Sequence, residues 1–180
     1  VFTQLNLYIN VKIHLEKIVE LKKYTRVNTS EDYINMTPDV YRLVSMAHRG
    51  QLDKGEQPYI QHLVRVSQAQ PNLRLQLIAL AHDIIEDTET SREELYDVGF
   101  DFIDIEVIRT LTKNKDESYD DYIDRVSKNI DAISIKMADL KDNMNITRLK
   151  DLVPEKIIPS LIKYAQAYRK LQSIIGNSVV

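Results

Sequence analysis

The sequence predicts an all-α domain, on three observations. Turn residues are scarce, with four glycines and five prolines among 180 residues, about half the share an average soluble protein carries. A sandwich or barrel needs such residues every 8 to 12 positions. Apolar residues from Val40 onward recur at intervals of three and four, the period of a helix with one buried face. Helix-capping patterns punctuate the chain at Thr90 to Glu94, Ser118 to Asp121 and Asp131. About seven helices are expected.

The first 36 residues read as an appendage. Leu5, Leu7, Ile9, Val11, Ile13 and Leu15 alternate as in a half-buried strand. The pattern turns helical from Leu15 to Leu21, so a short strand or an early helix is expected there, and Thr25 to Asn35 reads as a polar loop. The helical domain spans 37 to 176. Pro38 follows Thr37 as a first helical residue, with Val40, Leu43, Val44 and Ala47 facing the core. Gly50 to Pro58 is a polar loop, and Tyr59 to Ala69 is a helix. Pro71-Asn72 separates it from one continuous helix, Leu73 to Glu86. Another opens at Thr90-Ser91, and Asp104, Val107, Ile108 and Leu111 continue the series. Lys113 to Glu117 is a charged loop before the helix that starts at Ser118. Asp131 caps a helix with the stripe Ile133, Met137, Leu140 and Met144. The last helix runs from about Pro159 to a left-handed cap at Gly176.

Composition removes several chemistries. With no cysteine, disulfides, thiolate zinc sites and cysteine nucleophiles are excluded, and a metal site must use histidine and oxygen donors. The only histidines are His14, His48, His62 and His82. A net charge of −3 lacks the basic excess of a nucleic-acid surface. No apolar run reaches the length of a membrane span, and the N-terminus lacks a signal-peptide layout. A cytoplasmic enzyme or binding protein is the expectation.

Three stretches carry ionisable groups in unusual places. The apolar run Leu77 to Ala81 ends in His82-Asp83-Ile84-Ile85-Glu86-Asp87. Charge at the end of a buried helix is costly without a partner. Helical spacing would bring His82 to Glu86 and Asp83 to both Glu86 and Asp87. A divalent cation would satisfy that cluster; a solvated acidic helix end is the alternative. Asp139 lies beside the Met137–Leu140 stripe, with Asn143 one turn later on the same face, either as a structural acceptor or as a ligand. His62 sits in the first turn of an apolar helix, either as a core histidine or as a ligand.

Read together, these pieces resemble the HD-domain metal-dependent phosphohydrolases: His62, then His82-Asp83, then a distant Asp139, all on helices. Ala47-His48-Arg49-Gly50-Gln51, Lys54 to His62, His82 to Thr88, Leu111-Thr112-Lys113 and Lys136-Met137-Ala138-Asp139 occur in the order of the hydrolase domain of RelA/SpoT-type proteins and small alarmone hydrolases. The resemblance covers residues 38 to 150. It implies that His62, His82, Asp83 and Asp139 ligate a divalent metal, typically manganese, and that Glu86 and Asp87 orient or deprotonate the attacking water. It places Asn143 near the substrate sugar and metal, and His48 outside the ligand set. The implied reaction removes the 3′-pyrophosphate of guanosine tetra- and pentaphosphate.

Such a substrate is highly anionic, so Arg49, Lys54, Lys136, Lys141 and Arg148 are the cations expected to meet it. The chain departs from the family at Leu63, usually Pro, and at Asp53, where relatives often carry Arg. Asp53 could instead pair with guanine's N1–H and N2–H edge. Asp142 replaces a common His or Tyr. The alternatives are a hydrolase for another nucleotide or phosphoester and a non-catalytic nucleotide sensor.

Overall fold

In the computed structural model, residues 27–150 and 153–177 are described. They contain nine α-helices and one 3-10 turn, with a single isolated bridge, Leu52 to Pro58, in place of any strand. The helices are α1 (Ser30–Ala47), α2 (Ile60–Gln68), α3 (Leu73–Leu80), α4 (Ile84–Asp87), α5 (Arg92–Asp97), α6 (Phe102–Leu111), α7 (Tyr119–Val126), α8 (Ile130–Asn143) and α9 (Pro154–Asn177). The all-α expectation holds. The strand or helix expected between Leu5 and Leu21 lies outside the described residues.

Two helices sit at the centre. α3 is mostly apolar, with Leu75, Leu77, Ile78, Ala79 and Leu80 all buried and only Arg74 and Gln76 polar, as suits a helix largely enclosed by others. It packs against α1, α2, α6 and α8. α8 in turn touches α2, α6, α7 and α9, and buries Ile133, Ile135 and Leu140. Each such side chain contributes about 1.5–3 kcal/mol by leaving water.

Several boundaries follow the expected caps. Ser91 and Glu94 form a reciprocal capping box for α5, and Ser118 accepts from Asp121 N to start α7; α6 has a further capping box, Asp101 with Asp104, that lies outside the expected caps. Others differ. α1 begins at Ser30, capped by Thr29 and Asp32, and Pro38 lies inside it. Residues read as polar loop therefore join the first helix, and Tyr33 and Met36 on it are buried. Tyr33 Oη donates to both oxygens of fully buried Asp104 at 3.1 and 3.0 Å, which fixes this segment to the core.

The last helix likewise starts earlier, with Pro154 as its first residue and Pro159 inside. Gly176 is helical and not in the left-handed region, where the positive-φ residues are Gly50, Gly99 and Glu56. α8 is capped by Asn129, which accepts from Ala132 N. Asp131, expected as that cap, instead pairs with Arg74 Nη1 at 2.7 Å. The continuous helix expected from Leu73 to Glu86 is broken: α3 stops at Leu80 and α4 begins at Ile84. The turn between them carries His82 and Asp83.

Candidate metal centre

Three elements bring four residues to one cluster. α2 supplies His62, the α3–α4 turn supplies His82 and Asp83, and α8 supplies Asp139. His62, His82 and Asp139 are buried, and one donor atom from each lies within 4.8 Å of the others. His62 Nε2 is 3.3 Å from Asp139 Oδ1 and 3.8 Å from Asp83 Oδ2. His82 Nε2 is 3.1 Å from Asp83 Oδ2 and 3.8 Å from Asp139 Oδ1. The four residues named from the sequence are therefore neighbours in space.

The break after α3 explains the aim of His82. The tightened backbone lets His82 Nδ1 reach the Ala79 carbonyl at 2.7 Å. A carbonyl only accepts, so Nδ1 carries the proton. Nε2 then faces the carboxylates, and it is buried without a hydrogen-bond partner. A buried, unpartnered imidazole nitrogen among carboxylate oxygens is the donor set a divalent cation requires. Donors sharing one ion at about 2.1 Å stand roughly 3 to 3.5 Å apart, close to the spacing found. The residues fit a metal.

Without a cation, protons must balance the carboxylates. Burial opposes charge on His82, but Asp83 and Asp139 outweigh it and lift the imidazole to about 10. His62 is raised for the same reason, by Asp139 and Asp142 against burial. Asp83 and Asp139 are pushed up by burial yet end below the usual carboxylate range, through His82 and Lys136 respectively.

Glu86 and Asp87 lie at the open rim, on the short α4. Glu86 accepts the Lys113 backbone N–H at 2.7 Å. Burial on its inner side, and the charge of Asp83 beyond the opposing Lys113 contact, raise its carboxyl. Asp87 is raised by burial and then Asp83. A carboxylate so raised is a better proton acceptor.

The expected cations separate into three groups. Lys54 Nζ, on the Gly50–Pro58 loop, donates to Asn143 Oδ1 at 2.9 Å and Tyr164 Oη at 3.0 Å, and Asn143 Nδ2 donates to Asp139 Oδ1. Lys136 Nζ sits 2.7 Å from Asp139 Oδ2. Arg49 and Lys141 are exposed and form no ion pair among the described residues. Arg148 is turned inward, bridging Asp53 Oδ2 at 2.7 Å and Asp142 Oδ2 at 2.8 Å. Asp53 is correspondingly enclosed: its side chain is 4% exposed beneath Arg148 and Arg65, so it does not present an edge to a base. His48 is buried, bonded through Nδ1 to Gln51 Oε1 and stacked on Tyr59.

Three residues of this centre had no assigned role in the sequence. Tyr59 Oη donates to Asp83 Oδ2 at 2.6 Å. Asp142 meets His62 Nδ1 at 2.7 Å, and Arg65 Nε meets Asp142 Oδ1 at 2.7 Å. Arg65 follows His62 by one helical turn and Asp142 follows Asp139 by three residues, which puts each on the helix face of a ligand without indicating its partner. Beside the cluster, a cavity of about 310 Å³ is lined by Lys54, Asn143, Ile146, Leu149, Leu161 and Tyr164, among others.

A helical bundle that gathers His and Asp from two helices and His-Asp from a turn between two others at one buried point has the layout of an HD-type domain. Comparison with known proteins narrows this. No family model matches the chain. The guanosine-3′,5′-bis(diphosphate) 3′-pyrophosphohydrolase of Haemophilus influenzae is 32% identical over 124 residues, 61% of this chain and 18% of that protein. Its namesake in Vibrio cholerae is 30% identical over 151 residues, 76% of this chain and 21% of that protein. The bifunctional (p)ppGpp synthase/hydrolase SpoT of Escherichia coli is 29% identical over 140 residues, covering 70% and 20%. The chain thus spans about a fifth of the length of these relatives. A solved structure, described as a metazoan ortholog of SpoT that hydrolyses ppGpp, superposes with a TM-score of 0.58 at 21% identity, covering 85% of this chain and 98% of that one; this likeness establishes the shared fold. The chain is an HD-domain relative of the RelA/SpoT-type hydrolases. Among its described residues no helix is long and apolar enough to cross a membrane.

Proposed function

We propose that the chain is a divalent-metal-dependent phosphohydrolase that removes the 3′-pyrophosphate of guanosine tetra- or pentaphosphate, giving GDP or GTP and pyrophosphate. The observation that carries this reading is the buried, unpartnered Nε2 of His82 turned toward Asp83, Asp139 and His62. The names and activity of the sequence relatives supply the substrate.

In this reading His62, His82, Asp83 and Asp139 hold manganese, whose donor preference suits a mixed imidazole–carboxylate set. Bound there, the ion would supply Lewis acidity, easing loss of a proton from water and offsetting phosphate charge. Glu86, with its raised carboxyl, accepts the proton of the attacking water, and Asp87 orients that water from the adjacent position. The water oxygen bonds to the phosphorus carried on the 3′ oxygen, the bond from that phosphorus to the 3′ oxygen breaks, and the 3′ oxygen takes up the proton that Glu86 received, leaving GDP or GTP and pyrophosphate. Lys54 and Asn143 bind the phosphate–sugar region, and Lys136 holds Asp139 in place. Arg49 and Lys141, exposed and without an ion pair among the described residues, attract the anionic substrate. The compartment this reading assigns is the cytoplasm.

The test is direct. Purified chain loaded with manganese should convert guanosine tetraphosphate to GDP and pyrophosphate, lose activity to a chelator and regain it with manganese. No turnover by a fully metallated sample overturns the substrate assignment. A second reading keeps the metal chemistry and changes the nucleotide. Asp53 favours it, because that carboxylate is engaged by Arg65 and Arg148 and the adjoining cavity is largely apolar. A nucleotide panel with phosphate and pyrophosphate detection separates the two.

A further inference from the structure

Asp142 occupies the side of His62 opposite the cluster. Its Oδ2 lies 2.7 Å from His62 Nδ1, and a carboxylate can only accept. Nδ1 therefore carries a proton, leaving Nε2 as the atom that faces Asp139 and Asp83. The same carboxylate takes Arg65 Nε on Oδ1 at 2.7 Å and Arg148 Nη2 on Oδ2 at 2.8 Å. Both guanidiniums then reach Asp53 Oδ2, at 2.9 and 2.7 Å. Two carboxylates and two guanidiniums thus close a ring, with both aspartate side chains less than a tenth exposed. Breaking one member would leave buried charge uncompensated.

The ring also grips the substrate-side loop. Asp53 Oδ1 accepts from Gly55 N at 2.8 Å and Gln57 N at 3.1 Å, and the next residue after Asp53 is Lys54, which contacts Asn143. The loop cation and the metal-facing histidine are therefore anchored to a single charge cluster.

We propose that Asp142 is a positioning residue of the metal centre: it fixes His62 with Nδ1 protonated and Nε2 toward Asp83 and Asp139, while the Arg65–Asp53–Arg148 ring holds Asp142 and ties the Lys54 loop to that ligand. This rests on the reading of His62 as a ligand. Ligating histidines commonly depend on such a partner, and its loss lowers metal affinity about 10- to 100-fold.

Manganese binding to the full chain, followed by the resonance signal of free ion, tests this without any nucleotide. Asp142→Asn retains an oxygen acceptor for Nδ1–H and should weaken binding about tenfold; Asp142→Leu removes the acceptor and should weaken it about a hundredfold. Circular dichroism identifies folded variants, and Asp142→Asn decides the matter where Asp142→Leu does not fold. Affinity equal to the parent's in folded Asp142→Asn overturns the proposal. So does an equal loss in both folded variants, which would mean that Asp142 acts only through the arginines. A parent chain that binds no manganese overturns the metal reading itself, and is seen before any variant is made.

Discussion

Tyr59 donates its hydroxyl to Asp83 Oδ2 at 2.6 Å from a ring that lies between His48 and His62, 5.2 and 5.3 Å from their ring centroids. Burial, and then the charge of Asp83, raise the phenol above its ordinary value, so it remains a donor throughout the working range. Asp83 is thereby held with one oxygen turned to both histidines.

Replacing Tyr59 by Phe keeps the ring and deletes the donor. A hydrogen bond to a charged group contributes about 1.5–3 kcal/mol, so the metal-free variant should lose stability of that order in denaturant unfolding. Manganese affinity should also drop, by about tenfold. Unchanged values of both would show that Asp83 needs no donor from Tyr59.

Metal uptake should release protons. His82 is raised to about 10 in the metal-free fold, so it is protonated at neutral pH and must lose a proton from Nε2 to ligate; His62 is raised in the same direction. The sign follows: apparent manganese affinity rises as pH rises toward the folded-state values and falls in acid. Titration in weakly buffered solution should record proton release on manganese addition, and His82→Ala should release fewer protons and retain little metal. Asp139→Ala should likewise come through purification without metal. Metal retained in both variants would refute the ligand assignment.

The order His62, His82-Asp83, Asp139 was legible because each residue breaks an apolar stretch. A histidine or aspartate among core positions is conspicuous in one dimension. Asp142 was not, since it stands in a polar run, Lys141-Asp142-Asn143, and its partners Arg65 and His62 are 77 and 80 positions away in sequence. Nothing local says which guanidinium an aspartate will meet. Asp53 illustrates the consequence: read from sequence it faces a base, and in the fold it faces two arginines.

The helix ends teach the same lesson about proline. The preference for proline at a first helical position holds for Pro154 but not for Pro38 or Pro159, which are interior. Thr29 and Asp32 had already started α1, and Tyr33 and Met36 bury apolar surface that keeps the preceding turn helical. Tertiary burial outweighed the local cost of a missing N–H. The broken Leu73–Glu86 helix has the opposite origin: propensity favours continuation there, and the turn that interrupts it is the one that directs His82 inward.

Arg125 and Glu117 yield a prediction remote from the metal. Arg125 pairs with Glu117 through Nε and Nη2 at 2.8 and 2.7 Å, while its guanidinium also donates to the carbonyls of Thr110 and Thr112 at the end of α6. The hydrogen bonds from Arg125 hold Glu117 at about 2. A depressed carboxylate stabilises the fold above its unfolded-state value, near 4.3, and that contribution is lost as pH falls through the folded value. Glu117→Gln should therefore be less stable than the parent near neutrality, with the gap closing between about pH 5 and pH 2. A gap independent of pH would mean that the ion pair contributes nothing.

Gly55 occupies a position that no other residue fits. A Cβ there would lie 2.6 Å from the Arg148 carbonyl oxygen and 3.2 Å from Asp53 Oδ1, and backbone cannot yield as a flexible side chain would. Gly55→Ala must move either the loop or the segment bearing Arg148, at a cost of about 1–3 kcal/mol for overpacking. The Gly55 and Gln57 amides, which both donate to Asp53, should exchange with solvent faster in the variant. Lys54 would shift with the loop while His62, His82, Asp83 and Asp139, carried by α2, the α3–α4 turn and α8, keep their places. The substrate KM should therefore rise more than kcat falls, and manganese affinity should change less than in Asp142→Leu. Parental stability together with parental exchange rates at both amides would mean that the loop accommodates the added methyl without loosening its hold on Asp53, because displacement of that loop is what links the clash at Gly55 to the position of Lys54.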